Sequence, residues 1–158
     1  MTQGPEALAG QGPRHEPTPV MDLDTVRGFF AASPFMADLG VQPVAVAPGT
    51  VTAELVLARR HLQHTGQAHA GVMASLADHT MGSAAQTLAP SGRWCLTAEL
   101  KTSALRPGVG ERLVCVATVL KAGRNISFTE AEVFAERQGQ RTLVMKASAT
   151  MALAVAKA

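Results

Sequence analysis

Between His69 and Gly92 the chain carries a single carboxylate, Asp78, and no lysine, arginine or glutamate. The surrounding stretch, QHTGQAHAGVMASLADHTMGSAAQTL, has helical spacing from about residue 70 to residue 88. A helix that is apolar or small-sided on nearly every face is a buried helix. An acid placed inside such a helix costs free energy unless it is paired or used. These residues therefore predict a central helix packed inside the fold, with Asp78 as its chemical centre. Gly82 and Ser83, one turn further on, read as packing residues, the alternative being that they leave room for a bound group.

The 158 residues are 47% hydrophobic and 16% charged, with a net charge of +2. That suits one domain with a sizeable core and gives no basic excess for nucleic acid. With no tyrosine and one tryptophan, the chain also lacks stacking platforms for bases. Cys95 and Cys115 fall in strand-like runs without metal or disulfide spacing, and read as reduced core residues of a cytoplasmic protein. No window approaches ~20 uninterrupted apolar residues, so no membrane span is expected. Residues 1–20, rich in Gly and Pro, read as a disordered tail, and residues 21–158 as one domain.

DLDTVRGFFAASPFMADLG begins with acids and spaces Val26, Phe29 and Phe30 helically, predicting a short helix that ends near Ser33-Pro34. VQPVAVAPGTVTAELVLA alternates as two strands around Pro48-Gly49. After the long helix come four strand candidates joined by RPGVG, Gly123-Arg124 and Gln138-Gly139-Gln140. Two strands, one buried helix and four strands predict an α+β fold: a mostly antiparallel six-stranded sheet wrapped around one long central helix.

QHTGQAHAGVMASLAD resembles the Asn/Gln-x-x-Gly-x-x-His-Gly-Gly-x-x-x-x-x-x-Asp signature of PaaI-like hotdog-fold acyl-CoA thioesterases. LTAELKTSALRPG and LKAGRNISFTEAEVF follow at familiar distances, so the similarity runs from about Leu39 to Met151. The resemblance implies hydrolysis of an acyl-CoA thioester, with Asp78 as nucleophile or general base. It puts Gln63 at the amide position near the thioester and His69 at the helix start. The backbone N–H of Ala70, with that of Gly71, would hold the thioester oxygen, and Thr97 would help place water. Arg106, Lys121 and the turn Gly123, Arg124, Asn125 would meet CoA. No metal and no separate cofactor are implied, CoA being part of the substrate. One departure is Ala70, where the signature has glycine: the N–H survives, but the methyl narrows the approach.

Physical geometry adds a constraint of its own. A helix N-terminus favours a developing oxyanion through its unpaired N–H groups. Asp78 lies eight residues beyond Ala70, ~12 Å along the axis at ~1.5 Å per residue, whereas a reacting carbonyl needs its nucleophile within ~3.5 Å. One helix cannot serve both ends of the reaction, but two antiparallel helices across a two-fold axis can. The expected site is therefore shared, with Gln63, His69 and Ala70 from one chain and Asp78 and Thr97 from its partner. The chain is expected to be a homo-oligomer, a dimer at least and further a dimer of dimers. The rival readings are a hotdog hydratase or dehydratase, in which His69 and Asp78 share proton transfer, and a non-catalytic acyl-CoA-binding protein. A metal held by His61, His64 and His69 is set aside because no acid or cysteine completes it.

Overall fold

Asp22 starts the first helix by accepting from the Thr25 backbone N–H (2.8 Å) and hydroxyl (2.7 Å). Helix α1 (Leu23–Ala32) buries Val26 and Phe30, four residues apart on one face. The computed structural model describes residues 21–155. The tail expected over residues 1–20 lies outside the described residues. The first helix ends at Ser33-Pro34 as the sequence suggested, Ser33 taking extended backbone at φ −93° and ψ 103°. What the sequence did not show is that Pro34 at once begins α2 (Pro34–Leu39), a proline at the first helical position sacrificing an N–H that has no intrahelical partner anyway.

Strands β1 (Gln42–Ala47) and β2 (Thr50–Val56) form a hairpin at Pro48-Gly49, with Gly49 at φ 74°. The central helix α3 runs Ala70–Gln86. It stops two residues short of the sequence estimate because Thr87 turns its hydroxyl onto the Ala84 carbonyl (2.7 Å) and accepts from the Gly49 N–H (2.7 Å). That pair ties the end of α3 to the first hairpin. Strands β3 (Arg93–Ala104), β4 (Arg112–Ala122), β5 (Ile126–Arg137) and β6 (Gln140–Val155) complete a six-stranded sheet of order β1-β2-β4-β5-β6-β3. Every pairing is antiparallel. The sheet curls around α3, which packs on β2 to β6 and buries Met73, Leu76, Ala77, Met81, Ala84 and Ala85. This is the α+β hotdog arrangement expected from the sequence.

In one respect the protomer departs from that expectation: α3 is not dry on every side. Ala70 and Gly71 are exposed, and Ala74, Ser75, Asp78 and Gly82 are only half-buried, a continuous stripe at helical spacing. A matching gap lies on β3. Leu100, Thr102 and Ala104 pair with Ala149, Ala147 and Met145, which point into the core, so they face the same inner side. All three are nevertheless exposed, although α3 runs alongside the strand from Gln86 at Cys95 to Ala70 and Met73 beside Ala104.

The sheet's two edges differ in the same sense. Edge strand β1 is six residues long, contains Pro43 and has an irregular register there, features that discourage further pairing. Edge strand β3 is twelve residues long, has no proline, and exposes Leu96 and Leu100.

Candidate active site

The approach to α3 is a pinched loop fixed by backbone bonds. A 3-10 turn, Arg59–His61, lets the His61 Nδ1 accept from the Ala58 N–H (2.9 Å), and the His61 carbonyl accepts from the His69 N–H (2.9 Å). The Ala68 N–H donates to the Gly108 carbonyl (2.8 Å), anchoring the loop to the segment after β3. His69 then caps the helix, its Nδ1 accepting from the Gly71 N–H at 2.9 Å.

The Gly71 N–H, one of the two donors expected for the thioester oxygen, is thus engaged by His69 in this structure. Glycine is needed there for another reason, since a Cβ would lie 3.0 Å from His69 Nδ1. The Ala70 N–H, the first of the helix, bonds to no acceptor among the described residues and is the donor left at the positive end of the dipole. Gln63 donates through Nε2 to the Thr65 hydroxyl (2.9 Å) and shares with Ala70, Met73 and Arg106 a cavity of about 340 Å³. With their Nδ1 atoms committed to backbone donors, His61 and His69 serve the loop and the cap. Among the described residues no group of three or more His, Cys, Asp or Glu side chains is arranged to hold a metal.

Asp78 lines a different cavity, of about 300 Å³, between α1, α3 and the start of β3. It is half-buried and open to that space rather than packed into the core. Thr97 on β3 donates its hydroxyl to Asp78 Oδ1 at 2.7 Å, fixing the carboxylate's orientation. Both residues therefore stand together within one chain. A Thr97→Val variant should reduce turnover about tenfold through loss of that one hydrogen bond, and Thr97→Ser should restore most of it, as steady-state kinetics will read.

Neighbouring titratable groups have settled states. Burial lowers the His79 pKa, more strongly than the adjacent Asp78 charge raises it, and the ring packs edge-on against Phe30 at 4.4 Å. Burial also lowers the His61 pKa. Both histidines bind fewer protons folded than unfolded once the pH falls below 6.5, their ordinary value. Their contribution is full above pH 6.5 and is lost progressively below it, by at most about 1.4 kcal/mol per pH unit for each. Denaturant titrations from pH 7.5 to 5.5 should show this fall, and His79→Leu should flatten part of it. Burial raises the Cys95 thiol to about 11 and the Cys115 thiol to about 12, so neither supplies a competing thiolate near pH 7.

The residues assigned to CoA also fall into two groups. Arg106 follows β3, is steadied by donating to the Leu143 carbonyl (3.0 Å), and lines the Gln63 and Ala70 cavity. It also lines a third cavity, of about 500 Å³, together with Arg137. Lys121, Gly123, Arg124 and Asn125 lie at the opposite end of the sheet. There the Gly123 N–H closes the hairpin on the Ile126 carbonyl (2.9 Å), and the Asn125 carbonyl accepts from Leu153, the partner of Cys95. Sequence reasoning missed Trp94 and Arg137 as cavity-lining residues and saw Phe29 only as a helix residue. Nothing in their local pattern marks them, since each reaches its cavity through tertiary packing.

A carboxylate oriented by a hydroxyl, a free helix-start N–H and a sheet curled around that helix define the class. Residues 65–142 match the thioesterase superfamily. A thioesterase family protein from Silicibacter pomeroyi is 33% identical and superposes with a TM-score of 0.81 over 83% of this chain and 96% of its own. The chain belongs to the thioesterase superfamily. Within it, a mutant of the phenylacetic acid degradation protein PaaI from Thermus thermophilus is 27% identical, with a TM-score of 0.65 over 76% of this chain and 98% of its own. That agrees with the PaaI-like resemblance. Human acyl-coenzyme A thioesterase 13 is 26% identical over 119 residues, 74% of this chain and 84% of its own length. A Caenorhabditis elegans protein with an esterase name is 33% identical over 101 residues, 63% of this chain. The chain spans 59% of that relative's length.

Proposed function

We propose that this protein hydrolyses acyl-CoA thioesters at a site assembled by two copies of the chain. The observation that carries the proposal is the division of one helix between two cavities. Ala70 and Gln63 line one, Asp78 and Thr97 the other, and eight residues of helix separate the N–H donor from the carboxylate. The bare stripe of α3 and the uncovered inner residues of β3 support a two-fold pairing that sets the start of one α3 beside the middle of the other. The length of the β3 edge and its exposed leucines support the same pairing. The superfamily match and the acyl-coenzyme A thioesterase relative support the substrate class.

In the paired site the Ala70 N–H of one chain polarises the thioester carbonyl and stabilises the oxyanion formed on attack. The Asp78 carboxylate of the other chain, held by Thr97, either removes a proton from water as it attacks or attacks directly to give a mixed anhydride that water then cleaves. In both routes the carbon–sulfur bond breaks and CoA leaves as a thiolate that takes up a proton from solvent. The Arg106 end carries the positive charge that would meet CoA phosphates, with Lys121 and Arg124 brought in from the other chain. Thiol release followed colorimetrically with acetyl-, octanoyl- and phenylacetyl-CoA tests the reaction, and light scattering on the same sample tests the dimer. Release of CoA with an unaltered acyl chain supports hydrolysis; change at the α or β carbons without thiol release would point to the hydratase reading.

A further inference from the structure

Three cavities surround the half-sites, and they differ in charge. Arg106 and Arg137 line the two at the Gln63 end, whereas no described lysine or arginine lines the one beside Asp78. The space beside Asp78 has mostly apolar walls, and Phe29 and Trp94 close one side as an edge-on aromatic pair with centroids 5.7 Å apart. Gln86, which also touches it, is committed elsewhere: its Oε1 accepts from the Cys95 N–H (2.8 Å) and its Nε2 donates to the Arg93 carbonyl (2.9 Å). A CoA thioester has an anionic end and an apolar end, and of the three this cavity suits the apolar one while touching the carboxylate.

We infer that the cavity between α1, α3 and β3 receives the acyl tail of the substrate, and that Gly82 sets how long a tail it takes. This rests on the acyl-CoA reading above. Gly82 lines the cavity one turn beyond Asp78, and a Cβ built on it meets no atom within 4 Å. Within one chain the glycine is thus not required by close packing, and its missing side chain leaves space in the cavity. The cavity, of about 300 Å³, accordingly admits an apolar acyl chain, and any side chain at position 82 would shorten the chain it takes.

A Gly82→Leu variant fills that space with four carbons, and leucine in place of glycine favours the helix. The ratio of kcat/KM for decanoyl-CoA to that for acetyl-CoA should fall at least about tenfold relative to the unsubstituted protein. An unchanged ratio in a variant that melts normally would overturn the inference. A second readout does not depend on catalysis, because Trp94 is the chain's sole tryptophan and lines the cavity. Its emission should change saturably on titration with decanoate, and Gly82→Leu should abolish the change. If the unsubstituted protein hydrolyses no acyl-CoA, the functional proposal falls, and this titration still decides the cavity. Saturation lost in the variant keeps the inference, and an identical response in both proteins, or none in either, removes it.

Discussion

Asp78→Asn should lower kcat by about 10²- to 10⁴-fold, the range for loss of a positioned base, while KM for acyl-CoA stays within a few-fold. The substitution is nearly isosteric, and the amide oxygen can still accept the Thr97 hydroxyl now 2.7 Å from the carboxylate. Asp78 is half-buried beside a cavity and makes no salt bridge among the described residues, so its loss leaves no buried countercharge behind. Thermal melting should therefore change little. A variant retaining more than a fifth of the original kcat would remove Asp78 from the chemistry and return it to a structural role.

The second large effect tests the other half of the site. Ala70→Pro deletes the free N–H without disturbing the helix, because proline is accepted at the first helical position. His69 before it already has the extended backbone, φ −64° and ψ 137°, that a residue preceding proline prefers. Loss of one oxyanion donor should cost about 10²- to 10³-fold in kcat. If the site is shared, mixing this variant with Asp78→Asn under subunit exchange should recover about a quarter of the original activity. Half of the dimers are then mixed, and each mixed dimer holds one intact site of two. Mixing Asp78→Asn with Thr97→Val should leave only about half of what Thr97→Val itself retains, because both residues belong to the same half-site and no intact site can form. No recovery in the first mixture, with exchange shown by mass spectrometry, would mean that each chain carries its own complete site.

Much of the fold was legible because local physics dominates it. The uncharged run from Ala70 is helical by spacing, and the strands announce themselves by alternation between turn residues such as Pro48-Gly49 and Gln138-Gly139. The end of the first helix at Ser33 was legible, but the second helix from Pro34 was not, because proline stops a helix in its interior yet starts one at its first position, and a sequence does not say which applies. The bond made by the Gly71 N–H was not legible for a similar reason. Which acceptor its N–H finds depends on the rotamer of His69, and that is set by the loop anchored at His61 and Gly108.

The sequence by itself determined the central helix, the α+β order of elements, the lone acid at Asp78 and the axial distance that keeps it from Ala70. Those follow from composition, period and the fixed rise of a helix, none of which needs a neighbour. Only the tertiary structure decided that Thr97 holds the carboxylate, that His69 claims the Gly71 N–H, that Phe29 meets Trp94, and that one stripe of α3 stays uncovered. Each of these joins residues distant in the chain or depends on a side-chain rotamer, and contacts of that kind are fixed by how the sheet curls rather than by any local preference.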